Sequence, residues 1–391
     1  MASTLATPSS HLGDITEQPG AVPWYVWCSV AAVTFAMAGV HWDISWHRSI
    51  GRDTFWTPAH ICIHICGVLA GISCGYLILS TTFNRNSALR DCSVSLWGFR
   101  GPLGAFIAAW GGIAMITSAP FDNWWHDAYG LDVKILSPPH MVLALGVLAV
   151  HVGGLILILG QMNRAEGTLR AHLRAMFLYV GGLTIVCLNI VQMEITQRVF
   201  MHTAHFYYLI SLIVPLILCG VGRASQYKWG ATAVAGVYMA FVFLIGRILP
   251  LFPAEPKLGP VYYPTHQFVP PEFPLLLIIP AFFLDLMWQR TAGRGVLKQA
   301  VASGIVFVAV YAAVQWPFAD FLSSPAARNW LFGSKYFGYY TPPTSILLRF
   351  GFVKTELGTA LLQQTGMALA TAMIMSALGL AWGNWMRRIR R

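Results

Sequence analysis

The chain has 391 residues, of which 56% are hydrophobic and 10% charged. A soluble domain carries about 25% charge, so this composition excludes a soluble enzyme and points to a polytopic membrane protein. The formal net charge of +10 comes without zinc-finger spacing, an aromatic-interleaved basic stretch or a long arginine-rich tail. It therefore points away from nucleic acid and toward basic residues gathered on the cytoplasmic side of a membrane.

Residues 1–22 are polar and run into Pro-Gly-Ala-Val-Pro with no basic n-region. They read as a cytoplasmic tail and not as a cleaved signal peptide. Apolar runs long enough to cross a hydrocarbon core of about 30 Å then predict an all-α chain with about ten transmembrane helices. These lie near 23–43, 58–79, 101–120, 139–160, 175–196, 204–222, 230–250, 271–289, 299–318 and 358–384.

Five regions follow: the tail, a four-helix region 23–160, helices five to nine in 161–318, a long loop 319–357, and a last helix with a basic tail in 358–391. Alternate connections hold Arg85, Arg90 and Arg100; Arg164, Arg170 and Arg174; Arg223 and Lys228; Arg290, Arg294 and Lys298; and Arg387 to Arg391. By the positive-inside rule that side faces the cytoplasm, with both termini inside a plasma (inner) membrane. Gly67, Gly71 and Gly75, spaced by four, predict close helix packing. Six of the seven cysteines fall in apolar runs and read as core residues, with copper or zinc ligation by Cys62 and Cys66 as the alternative.

The opposite side carries the chemistry. Residues 41–60 read HWDISWHRSIGRDTFWTPAH, and residues 120–140 read PFDNWWHDAYGLDVKILSPPH. Aligned on the first Asp, the two share Asp43/Asp122, Trp46/Trp125, His47/His126, Gly51/Gly130 and Asp53/Asp132. One inserted residue then aligns Pro58/Pro138 and His60/His140. A repeat of this kind predicts a duplicated helix hairpin. Asp and His four residues apart share a helical face, and a short turn brings the next helix's His back to the same depth. One carboxylate and two imidazoles then suffice for Zn, Cu or Fe with an open position. The alternative is a hydrogen-bonded interfacial turn copied with its hairpin, or a proton or substrate relay. Asp53 and Asp132 would orient an imidazole, cap the returning helix, or pair with Arg48, Arg52 or Lys134.

Further polar groups lie among the apolar runs. Glu194, His202 and His205 form a third candidate cluster across the turn between the fifth and sixth helices, as ligands or a proton relay, with Arg247 a candidate counter-ion. Asp285 reads as an ion pair with Arg290. His64 sits one turn below His60, and His151 three turns below His140, where a polar group is costly; it reads as an interhelical hydrogen bond, with a ligand or relay role as the alternative. His266 falls in a Pro-rich loop and reads as a surface residue. His64 and His151 make a haem possible, although their pairing is arbitrary. There is no Walker A motif, no desaturase-type histidine box, and no flavin or nicotinamide motif.

The first motif resembles that of the C subunit of the copper membrane monooxygenases, the particulate methane and ammonia monooxygenases. In that family one helix supplies an Asp and a His four residues on, and the next supplies a His thirteen residues further. Asp43, His47 and His60 reproduce that spacing, and Asp122, His126 and His140 reproduce it with one extra residue. The resemblance spans some twenty residues at a time. It implies a copper site near the outer membrane face, in a complex that oxidises small molecules with dioxygen.

The function expected is a membrane-embedded, metal-dependent oxidoreductase. Copper or iron, with zinc possible, would be held by Asp43, His47 and His60 and by Asp122, His126 and His140, close to the outer face. O2 and a small or lipophilic molecule would be the substrates, with electrons from a quinol or a further membrane subunit. A transporter for a metal ion or small solute is the first alternative. A non-catalytic metal-binding or assembly subunit of a membrane oxidase or monooxygenase is the second.

Overall fold

The computed structural model describes residues 21–51, 56–130, 136–196, 200–257, 265–333 and 356–390, with the side chains of 193–196 left aside. It is all-α apart from one short hairpin. The helices are α1 (Trp24–Ser49), α2 (Pro58–Phe83), α3 (Leu103–Tyr129), α4 (Pro138–Met162), α5 (Gly167–Thr196), α6 (Ala204–Ser211), α7 (Val214–Ser225), α8 (Gly230–Ile248), α9 (Ile278–Arg290), α10 (Val296–Ser323) and α11 (Gly358–Met386). Taking α6 and α7 as one interrupted span, nine of these are long and apolar enough to cross a membrane. Large apolar side chains such as Ile72, Phe83 and Leu362 point outward, as a lipid-facing surface requires. The architecture is that of a multi-pass membrane protein.

The first four helices close a ring: α1 packs along α2 and α4, and α3 packs along α2 and α4. The tightest seam is α3 against α4. A β-carbon at Gly104 would stand 2.4 Å from the Gly153 carbonyl, and one at Gly111 would stand 2.6 Å from that of Gly146. Only small residues permit such backbone contact. Of the predicted Gly67, Gly71 and Gly75 stripe, Gly67 packs against Met115, while β-carbons at Gly71 and Gly75 would meet nothing within 4 Å. The α2 backbone at Gly67 and Gly71 is nonetheless closely approached by α3, where a β-carbon at Gly112 would stand 2.8 Å from the Gly67 carbonyl and 3.1 Å from Gly71 N. The remaining helices build against this ring through α5, which touches α1, α4, α7 and α8, while α11 packs against α6, α7 and α10.

The eighth predicted span, 271–289, is helical only in its second half, because α9 begins at Ile278. Pro270, Pro271 and Pro274 lack the N–H groups a helix needs, and residues 265–276 contain no helix. Non-helical backbone at this depth must be buried and satisfied by protein groups. Val269 N donates to Ser49 Oγ at 2.7 Å, Leu275 N to Tyr238 OH at 3.2 Å, and Leu276 N to Gln315 Oε1 at 3.0 Å.

Two further differences are local. Between α2 and α3, β1 (Val94–Leu96) pairs antiparallel with β2 (Phe99–Gly101) around Trp97 and Gly98. Both turn residues have positive φ, as a two-residue hairpin favours. Helix α10 continues to Ser323, five residues into the predicted 319–357 loop, of which 334–355 lie outside the described residues.

Candidate metal centre

The last two turns of α1 present two polar faces. His41, Ser45 and Ser49 are buried on one. Ser45 Oγ donates to Val269 O at 2.6 Å, and Ser49 Oγ donates to Ser45 O while accepting from Val269 N. This clasp fastens α1 to the extended segment before α9, with Ile50, Leu249, Ala254 and Phe268 packed above it. Asp43 and His47 occupy the other face and look toward α2.

The second helix is started by its sequence. Thr57 is the cap and accepts from His60 N at 3.1 Å, with Pro58 at the first helical position. Pro is favoured there because its missing N–H is not needed. The cap fixes the third residue, His60, in the first turn with its ring facing α1. Helix α4 begins in the same way: Ser137 accepts from His140 N at 3.4 Å, and Pro138 follows. Gly51 and Gly130, at the ends of α1 and α3, both lie at positive φ, 95° and 84°. Thr57 is thus a side-chain cap of the returning helix, the role that was one of the alternatives for Asp53. Asp53 and Asp132 themselves lie outside the described residues.

Asp43 sits between two imidazoles. His60 Nε2 lies 3.0 Å and His47 Nε2 3.6 Å from Asp43 Oδ1. One donor atom from each of Asp43, His47 and His60 falls within 4.8 Å of the others, and among the described residues no other group of three or more His, Cys, Asp or Glu does so. Bonds of about 2.0–2.1 Å at tetrahedral angles place donor atoms about 3.3 Å apart; the two contacts of Asp43 bracket that spacing, so these three residues could hold a metal ion. His47 is exposed while Asp43 and His60 are half-buried, leaving one side open to a further ligand.

The second hairpin arranges the same residue types more loosely. His126 Nε2 lies 3.4 Å from Asp122 Oδ2, and His140 Nε2 3.5 Å from Asp122 Oδ1. His126 Nδ1 lies 3.4 Å from the Gly130 carbonyl, a contact that turns Nε2 toward Asp122, as carbonyl partners of metal-binding histidines do.

The other predicted residues lie elsewhere. His202 is buried with its Nε2 2.8 Å from Asp320 Oδ1, and the ring stands edge-on to Trp316. Asp320, with 70% of its side chain exposed, reaches in from the part of α10 that runs past the predicted helix end at 318. His205 is exposed beside Tyr208, and the Glu194 side chain lies outside the described residues. Arg247, expected as its counter-ion, donates to the Trp330 and Leu331 carbonyls and lies over the Phe243 and Trp330 rings.

Asp285, expected to pair with Arg290, is buried and accepts from Ala231 N, Thr232 N and Thr232 Oγ1 at 2.7–3.2 Å. It serves the N-terminus of α8. His151 donates Nδ1–H to Val147 O at 2.8 Å, within its own helix. Cys62 donates to Phe35 O, and Cys66 is buried.

No protein-family model, curated protein or solved structure matches the chain. The likeness to the copper monooxygenase subunit therefore rests on the Asp43, His47 and His60 cluster and its spacing.

Proposed function

We propose that the protein is a membrane-embedded, metal-dependent oxidoreductase that oxidises a small or lipophilic substrate with dioxygen. The observation that carries this reading is the convergence of Asp43, His47 and His60, whose donor atoms lie within 4.8 Å of one another with one side open. Asp122, His126 and His140 are the ligands of a second ion, on hairpins we take as copies of one another. The aligned glycines at positive φ and the matched Thr57 and Ser137 caps support that duplication.

Copper or iron suits a carboxylate and two imidazoles and supplies oxygen activation when bound; zinc suits the same donors and supplies Lewis acidity. The chain's own part is to fix the donors. Thr57 sets His60, and the Ser45–Ser49 clasp sets the register of α1. Electrons come from a quinol or a partner membrane subunit. The sites face the outer side of a plasma membrane, opposite the Arg-rich connections.

The test is metal content by elemental mass spectrometry on protein purified in nanodiscs, wild type against Asp43→Ala and Asp122→Ala. One or two equivalents of copper or iron, lowered by each substitution, support the assignment; O2 consumption with quinol as donor then tests the chemistry. A wild type that stays metal-free after reconstitution with copper, iron and zinc overturns it.

One observation favours a transporter as the second reading. The helix pair α6/α7 is interrupted at 212–213, and α9 is a half-helix preceded by extended backbone, features shared with transport proteins. Metal-dependent flux into proteoliposomes, lost with Asp43→Ala, would replace the enzyme by a permease.

A further inference from the structure

The end of α4 remote from His140 meets the end of α11, and arginines gather around that junction. Arg170 and Arg174 stand four residues apart on α5, hence on one face, and both are half-buried. The Nε atom of each is buried and makes no hydrogen bond. Arg170 reaches the end of α7 through Nη2, which donates to Gln226 Oε1 at 3.0 Å. Three residues before Gln226, Arg223 donates Nε–H to Asn384 Oδ1 of α11, also at 3.0 Å. Arg387 and Arg388 follow Asn384 in the turn that closes α11, and both are exposed. Two hydrogen bonds therefore tie the ends of α5, α7 and α11 together.

Among the described residues none of these five arginines forms an ion pair. Glu166, four residues before Arg170, is exposed and pairs with none of them. Basic side chains often sit at helix C-termini to satisfy the last carbonyls, but on α11 that role is filled. Asn163 Nδ2 donates to Met386 O at 3.1 Å and to Ile389 O at 2.7 Å, and Arg164 donates to Arg390 O. What remains is a group of like charges with buried, unspent donors, a costly arrangement that an anion offsets. The guanidinium fork matches the oxygens of a phosphate group.

We propose that Arg170, Arg174, Arg223 and Arg388 form a binding site for the phosphate group of an anionic phospholipid. The surface beside the cluster favours a lipid over a soluble phosphate. Ile374, Leu378 and Trp385 are exposed along one face of α11, and the helical spacing continues that face to Arg388. Acyl chains lie along the apolar stripe, Trp385 sits at the interface, and the headgroup reaches the arginines. The site is separate from the metal centre and independent of its chemistry.

The test uses the full chain, delipidated in detergent and titrated by native mass spectrometry with dioleoyl phosphatidylglycerol, dioleoyl phosphatidylcholine and inorganic phosphate. Wild type is expected to bind phosphatidylglycerol more tightly than phosphatidylcholine. Arg170→Gln, Arg174→Gln and Arg388→Gln should each weaken phosphatidylglycerol binding by about fivefold, the contribution of one basic residue near an anionic lipid surface, and leave phosphatidylcholine unchanged. Arg290→Gln, an exposed arginine outside the cluster, is the control and should leave both unchanged. Phosphatidylglycerol should also raise the unfolding temperature of wild type more than that of the Arg170→Gln, Arg174→Gln double variant, a difference that a purely structural role would not produce. Arg388 is exposed at the chain's end, so its variant tests the site even where the double variant does not fold. Equal affinity for the two lipids, or equal weakening by Arg290→Gln, overturns the site and leaves diffuse surface charge. Inorganic phosphate that binds and protects as strongly as phosphatidylglycerol overturns the lipid and makes a soluble phosphate compound the ligand.

Discussion

A β-carbon at Gly39 of α1 would stand 2.7 Å from the backbone nitrogen of Ile63 in α2. The two backbones touch there, one turn below Asp43 and beside His60, and this approach lets a carboxylate on one helix reach an imidazole on the other at 3.0 Å. The approach is made at a residue with no side-chain chemistry of its own.

Gly39→Ala is accordingly expected to push α1 and α2 apart. Overpacking of this kind costs about 1–3 kcal/mol, and bound metal should fall although every ligand is intact. Gly75→Ala is the control, because its β-carbon meets nothing within 4 Å. Thermal unfolding in detergent and elemental analysis of the two variants check this. Equal metal content in both would detach the helix approach from the site.

The caps give a second prediction. Thr57→Ala and Ser137→Ala should each cost about 1 kcal/mol and loosen the His that follows, whereas Thr57→Ser should be close to neutral. Metal titration separates cap from ligand: the alanine variants retain full stoichiometry at reduced affinity, while His60→Ala loses an equivalent. Full affinity in Thr57→Ala would mean that the cap does not position His60.

Legibility followed the range of the interactions. The helical spans were readable because length and apolarity are local, and D-x3-H was readable because a helical face is a local property. The meeting of Asp43 with His60 was inferable from one short turn. What escaped was decided at a distance. Residues 271–276 are apolar enough to be taken into the 271–289 span, yet Pro271 and Pro274 prevent a helix, and Tyr238 and Gln315 satisfy the backbone donors of Leu275 and Leu276 from other helices. Asp285 and Arg290 are neighbours in sequence, but the donors that hold Asp285 belong to α8. Asp320 was placed in a loop, so its contact with His202 had no sequence signal.

The clasp at the end of α1 yields the third prediction. Ser49→Ala removes the acceptor for Val269 N and leaves a buried donor unpaired, at about 1–3 kcal/mol. Ser45→Ala should cost less, because a carbonyl oxygen tolerates an unfilled position better than an N–H. Limited proteolysis should then cut more readily in the 251–269 segment of Ser49→Ala than in wild type. An unchanged cleavage pattern and melting temperature would show that the segment is held by its apolar contacts alone.

The fourth prediction concerns Asp285, where two readings of one residue give opposite results. If its role is an ion pair with Arg290, Arg290→Gln and Asp285→Ala should destabilise alike. The geometry predicts otherwise, because the carboxylate accepts from Ala231 N, Thr232 N and Thr232 Oγ1. These are first-turn groups of α8 with no partner inside their own helix, and the positive end of the helix dipole favours the charge. Asp285→Ala should therefore cost about 2 kcal/mol or more, Asp285→Asn less because one oxygen still accepts, and Arg290→Gln close to nothing. Thermal unfolding of the three variants in one detergent decides it. Equal losses in Asp285→Ala and Arg290→Gln would restore the ion pair, whereas a loss confined to position 285 identifies a helix cap supplied from α9, which ties that half-helix to the start of α8.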